Sequence, residues 1–244
     1  MNKRWEILPI DEKKQILLEK NLHISSSLAE ILTRKNLDEN SAKLFLNPTK
    51  IPYHDPFLLK DMEKACQRLL LALKNKEKIC IYGDYDVDGV SSTVLLMTVF
   101  TKLGFNIDYY LPDRHSEGYG LHIESLQKLI PKYDLLITVD CGITALDEVD
   151  YAKDKIDMII TDHHLPREIL PDAFAIINPT QTQCNYPNKN LCGVGVAFKL
   201  CQGLYQSLNK DIHELENYLD MVALGTIADI VPLVDENRRI VKKG

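Results

Sequence analysis

The chain has 244 residues, 45% of them hydrophobic and 26% charged, with a formal net charge of −6. That is enough apolar material for one large or two modest globular cores. The charge argues against a broad basic face for non-specific duplex binding, which depends on many Lys and Arg releasing counterions, and no apolar run approaches the roughly 20 residues that span a bilayer.

The start, MNKRWEILPIDEKK, is charged but has neither an apolar h-region nor a cleavage site, so a cytoplasmic protein without a membrane segment is expected. Residues 1 to about 50 carry helical patterns in EKKQILLEK, SSLAEILTRK and SAKLFLN, and NPTKIPYHDPF, with Pro48, Pro52 and Pro56, ends them. This small helical preface is assigned to residues 1–55. Beyond Asp61, residues Met62, Ala65, Cys66, Leu69 and Leu73 recur at helical spacing and make one apolar face. Apolar strands at 78–84, 105–111, 134–140, 156–162 and 173–178 then alternate with helices near 90–103, 121–130 and 144–153. The alternation predicts right-handed crossovers and a mainly parallel five-stranded sheet flanked by helices, an α/β domain over 56–235. A loop, TQTQCNYPNKNLCG, and helical patterns near 194–208 and 212–230 follow. The polar, basic end DENRRIVKKG reads as the start of a linker, 236–244, to a further C-terminal domain.

The six cysteines (Cys66, Cys80, Cys141, Cys184, Cys192 and Cys201) form no CxxC pair, and several sit in apolar runs, which fits free thiols in a reducing compartment. Cys184 and Cys192 have no His at zinc spacing.

Three strands end in acids: KICIYGDYDVDG brings Asp84, Asp86 and Asp88, LLITVDCG brings Asp140, and MIITDHH brings Asp162 with His163 and His164. The C-terminal edges of neighbouring parallel strands open onto one crevice, so these groups are expected to converge there and hold metal. The DYDVDG motif imitates an EF-hand loop, but Leu95 stands where the bidentate Glu belongs and a strand rather than a helix precedes it. If the backbone stays extended, residues 82, 84, 86 and 88 share one side, and their carboxylates can grip divalent ions. Gly89 permits a turn, and Ser91, Ser92 and Thr93 would open a helix whose free N–H groups suit a phosphate oxygen. The competing reading is a solvated acidic turn.

Asp140 could instead cap the helix near 144. Adjacent imidazoles at 163 and 164 can divide two roles, one ligating metal and one protonating a phosphate oxygen. Asp229, in the apolar stretch ALGTIADIVPL, would be costly to bury without a partner, and a metal ion is one. The loop LPDRHSEGYGL supplies Arg114, His115, Tyr119 and two glycines, with Arg114 able to clamp a phosphate. CGVGVAFK lacks the third glycine of a dinucleotide fingerprint and follows no strand, and GxxxxGK[ST] is absent, which argues against ATP-driven work.

Taken in order, GDYDVDG, PDRHSEGYGL, TVDCGI, TDHH, CGVGVAFKL and LGTIADIVPL resemble the DHH phosphoesterase superfamily and, within it, the catalytic part of its single-strand-specific DNA exonucleases. The likeness runs from about residue 20 to the end. It implies two Mn²⁺ or Mg²⁺ ions held by Asp86, Asp88, Asp140, His163 and Asp229, with Asp140 bridging and Asp84 a further candidate. His164 would assist the phosphate, so Asp140 and His164 are the expected catalytic residues, and Ser91, Ser92, Arg114 and His115 are candidate phosphate contacts. Tyr82 stands where many relatives have His, so water or Asp84 is expected to complete that ion's shell. The implied activity is metal-dependent 5′ to 3′ hydrolysis of single-stranded DNA in repair and recombination, with repair and single-strand-binding proteins as partners. An oligonucleotide or cyclic-dinucleotide phosphodiesterase, or a manganese pyrophosphatase, would share the chemistry. A replication scaffold would have lost ligands, and here those positions are filled by competent residues.

Overall fold

The computed structural model describes residue 6 and residues 9–244. The chain divides into two compact units at Ile51, where the sequence reading put the boundary at 55. The described residues of the first unit form the α-helices α1 (Glu12–Leu22), α2 (Ser26–Arg34) and α3 (Glu39–Leu46). Each begins where a side-chain oxygen can satisfy a free N–H: Asp11 accepts from Lys14, Ser25 from Leu28 and Asp38 from Ser41. Leu18, Ala29, Leu32 and Ala42 form its small core.

The second unit is the α/β domain. Its strands are β1 (Lys78–Tyr82), β2 (Asn106–Tyr110), β3 (Leu135–Val139), β4 (Asp157–Thr161) and β5 (Ala175–Ile177). All pair in parallel, in the order β2-β1-β3-β4-β5. Side chains alternate between two cores, Ile79 and Ile81 entering one and Cys80 and Tyr82 the other. On the first face lie α4 (Met62–Asn75) and α5 (Val87–Leu103), and on the second α6 (Ile123–Leu129) and α7 (Leu146–Ala152). Helices α8 (Gly193–Ser207) and α9 (Leu219–Ala228) return to the first face and pack on α5. Helix α4 buries Met62, Ala65, Cys66 and Leu69, as their spacing predicts, with Ala72 completing the stripe and Leu73 only half-buried. All six cysteines are free and buried. Among the described residues no helix is long and apolar enough to cross a membrane.

The C-terminal segment holds a helix that the sequence reading does not place. Residues expected to start a linker form helix α10 (Asp235–Lys243), packed on α9. Its inward side is polar, which is why hydropathy missed it. Glu236 and Asn237 are buried beside Ile240. The Lys199 ammonium, itself fully buried on α8, lies 2.6 Å from Glu236. Tyr186 donates its hydroxyl to the same carboxylate, and Asn237 donates to the carbonyls of Asn190 (2.6 Å) and Pro232 (3.1 Å).

Removing one member of a buried pair leaves the other charged and unpartnered, at a cost of about 3–5 kcal/mol. Lys199→Ala is therefore expected to lose about that much unfolding free energy and shift the urea midpoint down accordingly, whereas the exposed Lys74→Ala should leave it nearly unchanged. Equal midpoints for the two variants would show that the pair does not hold α10 in place.

Candidate metal centre

Strand order reverses between β1 and β3, and a sheet of this kind binds its ligands at that switch point. Tyr82 lies opposite Thr138 and Val139 opposite Thr161, so β3 and β4 end level and β1 one residue short of them, and Asp84, Asp140 and Asp162 follow along one edge.

After β1 the backbone does not stay extended as the alternate spacing of the aspartates suggested. Helix α5 begins at Val87, with Asp86 as its N-cap and the Asp86 carboxylate accepting the Gly89 N–H at 2.9 Å. An Asp followed by a second acid in the first turn is itself a helix-start signal. Asp88 therefore reaches the cluster from the first turn of α5 rather than from a strand. The early start also corrects Ser91 and Ser92, which lie beyond the free N–H groups of that turn. Both are buried, and the Ser92 hydroxyl donates to the Asp88 carbonyl at 2.7 Å.

Asp140 adopts a left-handed backbone (φ 60°) and donates its N–H to Thr161 O at 3.0 Å. It caps no helix, since α7 begins at Leu146 behind Ala145. Beyond β4, His163 brings Nε2 to 3.2 Å from Asp140 Oδ1, 3.6 Å from Asp229 Oδ2 and 3.9 Å from Asp88 Oδ2. Asp229 follows the last turn of α9, its N–H bonded to Gly225 O. Three groups of potential ligand atoms, each spanning no more than 4.8 Å, overlap here: Asp84, Asp86 and Asp140; Asp88, His163 and Asp229; and Asp140, His163 and His164. Shared Asp140 and His163 tie the groups together.

The donor set fits a hard divalent cation of the Mn²⁺ or Mg²⁺ type: carboxylate oxygens and imidazole, with no thiolate. Three buried atoms, Asp84 Oδ1, Asp140 Oδ1 and His163 Nε2, have no hydrogen-bond partner. Buried polar atoms are rarely left so unless an ion or water completes them. Burial raises the pKa of Asp84, Asp88, Asp140 and Asp229 above the ordinary carboxylate value, and for Asp140 the charges of Asp88, Asp86 and Asp162 add to it. For Asp88 the N–H groups of Val194 and Gly193 and the His163 charge pull the other way without cancelling burial.

Asp162 does something else. Burial pushes its pKa up, but the hydrogen bond and charge of His164 and the N–H groups of Ile143 and His164 outweigh it and hold the carboxylate ionised. In return the His164 imidazole, 2.7 Å from Asp162, is raised to about 9. The sequence reading counts Asp162 among the groups converging to hold metal, whereas here it accepts the N–H groups of the two His that follow it.

Tyr119 stands out in the sequence only as part of its loop. Its hydroxyl donates to Asp140 O at 3.1 Å and lies within 3.4 Å of both ring nitrogens of His164. Gly118 (φ 81°) and Gly120 (φ 89°) supply the left-handed turns on either side. Tyr82 faces away from the cluster, buried in the second core with its hydroxyl on Gly120 O. Arg114 is exposed, stacked 5.0 Å above the Tyr85 ring between Asp84 and Asp86 in sequence. His115 is exposed in the same loop, its N–H held by Asp113.

Residues 78–226 match the model of the DHH family, N-terminal domain. The chain is 45% identical over 244 residues to the single-stranded-DNA-specific exonuclease RecJ of Bacillus subtilis (strain 168), covering 99% of this chain and 30% of that protein. It thus spans less than a third of that relative's length. Among solved structures it resembles RecJ of Thermus thermophilus in complex with Mn²⁺ (TM-score 0.83, 28% identity, 99% of this chain and 34% of that one). It also resembles an exonuclease RecJ bound to manganese (TM-score 0.71, 36% identity, 76% and 47%). A match running from β1 into α9, over more than half the residues, shows that the chain belongs to the DHH family, as the order of its motifs implied.

Proposed function

We propose that this chain is the catalytic part of a metal-dependent phosphodiester hydrolase, a 5′ to 3′ exonuclease acting on single-stranded DNA. The observation that carries the reading is the convergence of three unsatisfied buried ligand atoms, on Asp84, Asp140 and His163, among further carboxylates at the sheet's switch point. Relatives named for this activity, and T. thermophilus RecJ structures with Mn²⁺ and with Mg²⁺, support the substrate and the metals. Two such ions would be held by Asp84, Asp86, Asp88, Asp140, His163 and Asp229. When bound, divalent cations neutralise phosphate charge and acidify a coordinated water.

The chain's own residues supply the rest. Asp162 orients His164 and keeps its ring protonated at neutral pH, so the ring can donate to a phosphate oxygen as charge develops there. Tyr119 also contacts that ring, its hydroxyl within 3.4 Å of both nitrogens, and, with its phenol pushed well above the usual range by burial and the nearby carboxylates, stays protonated. Arg114, held over Tyr85, would clamp a phosphate of the incoming strand. A cytoplasmic setting, with repair and single-strand-binding proteins as partners, belongs to the same proposal.

Mn²⁺-dependent digestion of a 5′-labelled oligonucleotide, single-stranded against duplex, tests the activity. Asp140→Ala and His163→Ala should each lose on the order of 100-fold in rate, and hydrolysis unchanged in both would sink the ligand assignment. His164→Asn should lose rate while keeping Mn²⁺ affinity.

The raised carboxylates also predict a pH dependence. Between the unfolded value of 3.8 and their higher folded values, Asp84, Asp88, Asp140 and Asp229 bind more protons folded than unfolded, so they make the fold less stable as pH rises. His164 acts in the same direction, its contribution present below 6.5 and lost as pH rises through about 9. The chelated chain should therefore melt at a lower temperature at pH 8 than at pH 5. Saturating Mn²⁺ should shrink that difference, and a melting point that climbs with pH in chelator would contradict the site's electrostatics.

A further inference from the structure

The CGVGVAFK segment contributes no atom to the ligand groups, yet its first turn grips one of them. Helix α8 has Cys192 at its N-cap, which makes no side-chain cap, and no acid in its first turn. The missing cap comes from Asp88, 105 residues earlier: Gly193 N–H donates to Asp88 Oδ2 at 2.5 Å and Val194 N–H to Asp88 Oδ1 at 2.8 Å. Space is equally tight. A Cβ on Gly193 would stand 2.6 Å from both Cβ and Oδ1 of Asp140, and a Cβ on Gly225 of α9 would stand 2.7 Å from Asp88 Oδ1. Gly195, the motif's other glycine, has only Leu191 (3.3 Å) and Cys192 (3.7 Å) near its missing Cβ.

We propose that the first turn of α8, together with Gly225, is a positioning element of the metal centre. Gly193 and Val194 hold Asp88 by both oxygens, and the absent side chains at Gly193 and Gly225 leave the room that the Asp140 and Asp88 carboxylates occupy. This rests on the metal reading above and deepens it. With one N–H on each oxygen, the Asp88 carboxylate cannot turn about its last torsion, so its orientation is set before a cation arrives and the remaining lone pairs face the cluster. The positive end of α8 favours the ionised form that a cation requires. Groups that orient a ligand in this way typically change metal affinity by about 10–100-fold when removed.

The test is Mn²⁺ titration of the 244-residue chain by calorimetry without DNA, alongside melting of the chelated proteins. Gly193→Ala and Gly225→Ala should bind Mn²⁺ about 10–100-fold more weakly, while Gly195→Ala, on the same buried helix, stays within about threefold of wild type because its Cβ meets no site carboxylate and presses only on the end of the Leu191 side chain, at 3.3 Å. Should Gly193→Ala fail to fold, Gly225→Ala decides alone. Wild-type affinity in the folded variants overturns the proposal, and so does an equal loss in Gly195→Ala, which would trace the effect to α8 packing. A wild-type chain that binds no Mn²⁺ defeats the metal reading itself and this inference with it, a result distinct from the other two.

Discussion

Tyr82 pairs with Thr138 and Val139 with Thr161, a register that carries Asp84, Asp140 and Asp162 just past the ends of β1, β3 and β4 along one edge. Everything in the site depends on that edge. Because side chains alternate at every residue, a slip of one position would turn each acid and imidazole toward the opposite face. The register is held by the apolar alternation: Ile79, Ile81, Leu135 and Ile137 face one helical layer, while Cys80, Leu136, Met158 and Ile160 face the other. Packing on both faces thus specifies the chemistry at the end of the strands.

At that edge the fold treats its acids in two ways. Asp162 is surrounded by N–H donors and an imidazole, so its charge is satisfied within the chain. Asp84, Asp88, Asp140 and Asp229 are crowded together in partial or complete burial, with His163 the one imidazole shared among three of them. Such an arrangement weakens the fold on its own, and local strain of this sort persists only where the surroundings overdetermine it. Two helix N-termini share the task, that of α5 capped by Asp86 and that of α8 capped by Asp88.

The strand ends and the acids on them were legible in the sequence because both signals are local: short apolar runs, each closed by Asp. The half-buried face of α4 was legible for the same reason. The start of α5 was misplaced because three aspartates at alternate positions suggest an extended chain, while the capping bond from Asp86 to Gly89 that ends the extension depends on one rotamer. Helix α10 was missed since its buried contacts are an ion pair and amide hydrogen bonds, which a hydropathy pattern scores as solvent-facing. The glycines at 193 and 225 carried no local meaning at all. Their neighbours in space, Asp140 and Asp88, are far away in sequence, so only the assembled tertiary fold reveals why a side chain is excluded there.

The burial of every thiol has a practical corollary. Cys141 follows Asp140 directly and Cys192 precedes Gly193, with its sulfur against the Thr226 hydroxyl, whereas Cys66 and Cys201 lie in the layer between α4 and α8. A closed fold shields all of them from an alkylating reagent, so the rate at which each is labelled reports how often its own neighbourhood opens. Unmodified, the chain already carries reporters for two regions, one bordering the carboxylate cluster and one remote from it.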